Sequence, residues 1–130
     1  MASREQDWLD QARRDLAHAR HSLEDRDFEW ACFAAQQAAE KAVKGVYQNR
    51  GAEAWGHAVS LLLGSLQEQE HADDALVDAA RELDKHYIPA RYPNAHPEGA
   101  PFQFYTRGEA ERAIGHAESI LRFCEDLLAR

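Results

Sequence analysis

The chain has 130 residues, 45% of them apolar and 29% charged, with a formal net charge of −8. Such a length predicts a single domain over residues 1–130 that buries roughly two-thirds of its unfolded surface, and the acidic balance argues against a protein whose main task is to coat nucleic acid. No segment approaches the roughly 20 consecutive apolar residues of a membrane span, and residues 1–7 lack the apolar core of a signal peptide, so the expectation is a cytoplasmic protein with no membrane partner.

Apolar periodicity predicts a first helix over about residues 4–24, with Trp8, Ala12, Leu16, Ala19 and Leu23 recurring at three and four residues. Arg26-Asp27 breaks it. A second helix over 28–49 carries Ala31, Ala35, Ala38, Ala42 and Val46 on one stripe, with Phe33 and Val43 beside it and Gly51 as a stop. So many alanines let a neighbouring helix approach closely. Residues 58–66, with Leu61, Leu62, Leu63 and Leu66, read as a short helix buried on more than one side. Asp73 or Asp74 can cap a fourth helix ending near Tyr87, with Leu76, Ala80, Leu83 and Tyr87 facing inward. Thr106 and Glu109 have capping-box spacing at the start of a fifth, followed by Ala110, Ala113, Ile114, Ala117, Ile120, Leu121, Cys124 and Leu128. Five helices without a strand signal predict an all-α, up-and-down bundle. Cys32 and Cys124 form neither a CxxC pair nor a zinc ligand set, so reduced, buried thiols are expected.

Between the fourth and fifth helices the pattern changes. Pro89, Pro93, Pro97 and Pro101 forbid a continuous helix, yet Tyr92, Phe102, Phe104 and Tyr105 make the stretch too aromatic for a floppy linker. A long ordered loop is therefore predicted. Arg91 and His96 place a permanent cation near a group that titrates around neutral pH, a combination suited to handling phosphate. Lys41, Lys44, Arg50, Arg81 and Lys85 could add to a local basic pocket. A purely structural reading accounts for the same residues: Arg91 pairing with Asp84 or capping the carbonyl end of the fourth helix, His96 solvated beside Pro97, and Tyr92, Phe102, Phe104 and Tyr105 forming a lid over the core. Gln36, Gln37, Glu40, Lys41 and Lys44 read as a polar ridge that contacts a ligand or is a solvated face. His57 is expected to cap the short helix or bond a carbonyl, and His18 and His21 to sit on a solvated face. No phosphate-binding glycine loop, metal-ligand set or cofactor motif stands out, so neither metal nor cofactor is expected.

Trp8, Ala12, Asp15 and Leu16, the block Phe33-Ala34-Ala35-Gln36-Gln37-Ala38-Ala39-Glu40-Lys41-Ala42-Val43-Lys44, His57 before the leucines, and Tyr87-Ile88-Pro89-Ala90-Arg91-Tyr92-Pro93-Asn94-Ala95 occur in the order seen in prokaryotic HEPN domains. The chain resembles that family over nearly its whole length. The resemblance implies a helical bundle that pairs as a homodimer and works beside a minimal nucleotidyltransferase. It also implies, as in relatives that are ribonucleases or toxins of toxin–antitoxin pairs, an active site in which Arg91 is followed by His96. Relatives with this loop often carry Asp where this chain has Asn94, and other HEPN domains are binding scaffolds without activity. Two functions follow: metal-independent RNA cleavage through Arg91 and His96, or a non-catalytic nucleotide- or protein-binding scaffold. In the first, His96 carries a proton and Arg91 grips the phosphate as charge accumulates. Asn94 orients the histidine or donates to phosphate, Tyr92 stacks on an unpaired base, and Lys44 and Lys85 bind the substrate backbone.

Overall fold

A computed structural model describes residues 4–129, Glu68 by its backbone alone. Residues 1–3, part of the stretch read as lacking a signal core, lie outside the described residues. Five α-helices and no strand occur among the described residues: α1 (Glu5–Glu24), α2 (Phe28–Asn49), α3 (Val59–Glu70), α4 (Asp74–Asp84) and α5 (Arg107–Leu128). Two short 3-10 turns, Pro93–Ala95 and Pro101–Gln103, lie between α4 and α5. None of the helices is long and apolar enough to cross a membrane.

The helix α2 is the hub. It packs against α1 and α5 along most of its length, and against α3 and α4 on its remaining side. Its small residues make this possible: Ala31, Ala35, Ala38 and Ala42 are fully buried, so neighbouring backbones can come close. Gly45 extends the stripe, since a Cβ there would lie 3.3 Å from the Trp8 Cβ on α1. Larger side chains fill the space around α2, with Leu9, Leu63, Leu83, Ile120 and Leu127 all almost completely buried. Each contributes roughly 1.5–3 kcal/mol relative to an exposed position.

Sequence and structure part in a few places. Burial on α1 centres on Leu9, Ala12, Leu16, Ala19 and Ser22, leaving Trp8 and Leu23 at the margin. On α5 it is Leu127, and not Leu128, that enters the core. Leu61 points outward with 74% of its surface exposed, so α3 buries one face only, through Leu62, Leu63 and Leu66. The end of α4 falls at Asp84, three residues before Tyr87. The Asp84 carboxylate instead accepts hydrogen bonds from the backbone N–H groups of Val59 (2.6 Å) and Ser60 (3.3 Å) and from the Ser60 hydroxyl. Ala58, at the N-cap of α3, has no side chain for that task, so α4 caps α3 from a distance in sequence. Cys32 and Cys124 are free and buried, and burial pushes the Cys32 thiol up to about 12.

Candidate active site

The turns after α4 are held by contacts that converge on Arg91. Its Nε donates to the Tyr87 carbonyl at 2.8 Å, so it does serve the carbonyls just past the helix end, while Asp84 is engaged with α3. Its guanidinium carbon lies 4.3 Å from the ring centre of Phe33, 4.6 Å from Tyr87 and 5.1 Å from Tyr92. Three aromatic faces around one guanidinium favour its charge and fix its plane. With Nε engaged, the two terminal nitrogens are the part of the fork that can meet a phosphate.

His96 is anchored too, and is not a freely solvated loop residue. Its Nε2 lies 2.7 Å from the Pro89 carbonyl oxygen, and its ring stacks on Phe104 at 5.1 Å between centroids and 16° between planes. A carbonyl only accepts, so Nε2 carries a proton and Nδ1 is the nitrogen left for chemistry. The bond spans the Pro89–His96 segment and turns the chain into an elbow that brings His96 back to the residues flanking Arg91. Tyr92, Phe102 and Phe104 remain exposed, and only Tyr105 of the aromatic group packs against the core. The aromatic lid of the purely structural reading does not form. The elbow's rigidity comes from hydrogen bonds and ring contacts.

A second constellation adjoins the first. The residues read as a polar ridge are partly buried: Gln36 is 0% and Glu40 5% exposed. Glu40 accepts from Gln36 Nε2 (3.1 Å), Lys44 Nζ (3.1 Å) and, more distantly, Gln37 Nε2 (3.4 Å). His57 completes the set, with Nδ1 at 3.1 and 3.2 Å from the two carboxylate oxygens. Its own backbone carbonyl accepts from Gln36 at 3.0 Å. His57 thus bonds a carboxylate, neither capping α3 nor bonding a carbonyl with its ring. The imidazole stacks on Tyr87 at 4.3 Å and 15°, the ring that also faces Arg91. Lys41 pairs with Asp15 of α1.

Two concavities border these groups. One of about 370 Å³ is lined by His57, Lys85, Tyr87, Ile88 and Pro89 among others. The other, about 210 Å³, lies across Phe33, with the half-exposed Trp30, His18, Gln37 and Lys41 on its walls. Of the residues singled out from sequence, Arg91, Tyr92 and His96 share the elbow, Lys85 edges the larger concavity, Asn94 is exposed on the 3-10 turn, and Lys44 is committed to Glu40. The Glu40–His57 pair and the Phe33–Tyr87 cradle were missed: their members lie far apart in sequence, and the one local clue was the i,i+4 spacing of Glu40 and Lys44. Among the described residues no group of three or more His, Cys, Asp or Glu could hold a metal ion.

An all-helical bundle with an Arg- and His-bearing elbow before its last helix is a class of domain that comparison can test. The sequence model of the HEPN domain matches residues 5–127, and the chain belongs to the HEPN domain family. It is 26% identical to "Putative toxin MJ1304" of Methanocaldococcus jannaschii, a match covering 93% of this chain and 86% of that protein. Among solved structures it is similar to TT1696 from Thermus thermophilus, with TM-score 0.93 and 53% identity over 96% of this chain and 98% of that one. An HEPN domain protein from Thermotoga maritima matches with TM-score 0.79 and 49% identity over 95% and 98% of the two chains. ST0689, an archaeal HEPN homologue, matches with 0.83 and 40% over 97% and 98%.

Proposed function

We propose that this HEPN protein is the toxin-like member of a toxin–antitoxin-like pair, that its partner is a minimal nucleotidyltransferase, and that it cleaves RNA without metal through Arg91 and His96. It acts in the cytoplasm as a homodimer of single-domain chains. The observation that carries the reading is the 2.7 Å bond between His96 Nε2 and the Pro89 carbonyl. It fixes the tautomer, leaves Nδ1 for proton transfer, and holds the imidazole in the same elbow as a guanidinium whose terminal nitrogens make no hydrogen bond among the described residues. Arg91 stabilises the charge that builds on the phosphate as the 2′-oxygen attacks, and His96 transfers a proton; help of the latter kind is worth roughly 10²–10⁴ in rate. Tyr92, exposed beside Arg91, offers a stacking face to an unpaired base, Asn94 a donor to phosphate, and Lys85 positive charge along the approach, while Lys44 serves the site by holding Glu40. The toxin name of the archaeal relative supports the biological setting.

Two experiments test it. Arg91→Ala and His96→Ala should each abolish cleavage of single-stranded RNA in chelator while leaving helicity unchanged; persistence of cleavage in both would dismiss the site. Co-expression with the nucleotidyltransferase encoded beside it should yield a stable complex, and separate elution of the two proteins would dismiss the partnership.

A further inference from the structure

Strand scission of RNA by transesterification moves two protons: one leaves the attacking 2′-hydroxyl and one joins the departing 5′-oxygen. His96 can carry one of them. The structure holds a second imidazole, in the same chain, mounted on a buried carboxylate. The Nδ1 of His57 is bound by Glu40, a carboxylate 5% exposed, so this nitrogen carries the proton and Nε2 is the one presented outward. A buried carboxylate in that position fixes the tautomer, orients the ring and stabilises the imidazolium once it forms, as the acidic member of a catalytic triad does. The ring is supported on one side by Tyr87 at 4.3 Å, while its side chain remains 51% exposed. It therefore stands at the surface on a fixed mount.

Its place relative to the elbow suits the same role. Tyr87 touches both His57 and Arg91. His57 lines the larger concavity together with Pro89, the residue whose carbonyl holds His96. One concavity thus has a carboxylate-mounted imidazole on its wall and, on the residue that anchors the other imidazole, the start of the elbow. The charged groups around His57 are Glu40 and Lys44 from α2, Asp84 and Lys85 at the end of α4, and Arg91 beyond Tyr87. Asp84 is taken up by the α3 N-terminus and Lys44 by Glu40, which leaves Glu40 as the carboxylate that acts on the ring.

We infer that His57, mounted on Glu40, is a second catalytic proton carrier for RNA cleavage, supplied by the same chain as Arg91 and His96. This rests on the cleavage reading above. His57 Nε2 takes the 2′-hydroxyl proton as the oxygen bonds to phosphorus. As the bond from phosphorus to the 5′-oxygen breaks, that oxygen receives the Nδ1 proton of His96, which enters the step as the imidazolium and leaves it neutral with its Nε2–H still on the Pro89 carbonyl. The products are a 2′,3′-cyclic phosphate and a 5′-hydroxyl, and solvent exchange resets both rings.

The test is single-turnover cleavage of an RNA oligonucleotide in chelator, followed from mildly acidic to mildly alkaline pH, for the wild type and for His57→Asn, whose amide nitrogen can replace Nδ1 on Glu40 but cannot carry a proton. The expected result is a loss of about 100-fold or more in the maximal rate, with oligonucleotide affinity and helicity retained. The limb of the profile that rises from acidic pH should also disappear. His57→Ala, with room for a small base, should be rescued by added imidazole. A His57→Asn protein that cleaves at the wild-type rate with both limbs intact overturns the inference and leaves the Arg91/His96 reading standing. Loss of affinity alone, with both limbs retained and no imidazole rescue, overturns it in favour of a structural role. A wild type that cleaves no RNA overturns the reading and this inference together.

Discussion

Glu40 receives Gln36, Gln37, Lys44 and His57 on a stretch of α2 that looks, in sequence, like an ordinary alternation of polar residues. Periodicity cannot distinguish a solvated ridge from a buried one when the covering residues come from another part of the chain, here the segment around His57. Burial raises the stakes of each bond, because Lys44 has only 14% of its side chain exposed and would lose its counter-charge. Glu40→Ala is therefore expected to cost about 3 kcal/mol in urea unfolding, with Glu40→Gln costing less. His86 makes a different point. Burial pushes its imidazole below the ordinary value, outweighing Glu109 and Glu82, which raise it, while Arg112 and His116 lower it further. Its Nδ1 lies 3.1 Å from the Tyr105 hydroxyl. A folded-state value below the unfolded one means the unfolded chain binds more protons on acidification. The contribution is thus present above about pH 6.5 and is lost as the pH falls from there through the lowered value. The urea midpoint should drop with acidification in the wild type and drop less in His86→Gln.

Among the elements, capping separates what sequence could reveal from what it could not. Thr106 and Glu109 are three residues apart and exchange bonds at 3.2 Å, so the start of α5 was legible from spacing. Asp73 likewise accepts from Leu76 N–H at 2.8 Å on α4. The start of α3 was not legible, because its cap, Asp84, arrives from the far end of α4. The same interaction helps explain why α4 stops at Asp84 although the apolar stripe runs on to Tyr87: the carboxylate is drawn to α3, and the following turns deliver Tyr87 to His57 and Arg91. Replacing Asp84 with Ala should cost about 1–2 kcal/mol by losing the cap. The same change should weaken RNA cleavage, because the turn that positions Tyr87 and Arg91 starts there. Thermal unfolding and cleavage rate measured on one preparation check both; an unchanged melting temperature would contradict the capping role.

For the molecule as a whole, the net charge of −8 and the cationic elbow are compatible because the charge of Arg91 is favoured locally by three aromatic rings. With Arg91 and Lys85 as the phosphate-facing cations, the salt dependence of RNA affinity should be shallow. A slope of about −1 to −2 in log–log form is expected for single strands, measured by titration with a 2′-O-methyl oligonucleotide. A slope several times steeper would indicate that a broad basic surface takes part in binding. The bundle and the position of the loop were legible because alanine stripes and proline spacing are local signals. The convergence of Phe33, Tyr87, His57 and Arg91 was not, since it depends on how α2, the segment before α3 and the turns after α4 meet. The most direct test of the central claim is end-group analysis of RNA incubated with the purified protein in chelator. The expected products carry 2′,3′-cyclic phosphate and 5′-hydroxyl ends with wild type and vanish with His96→Ala. Intact RNA with the wild type, or the same ends with His96→Ala, would contradict it.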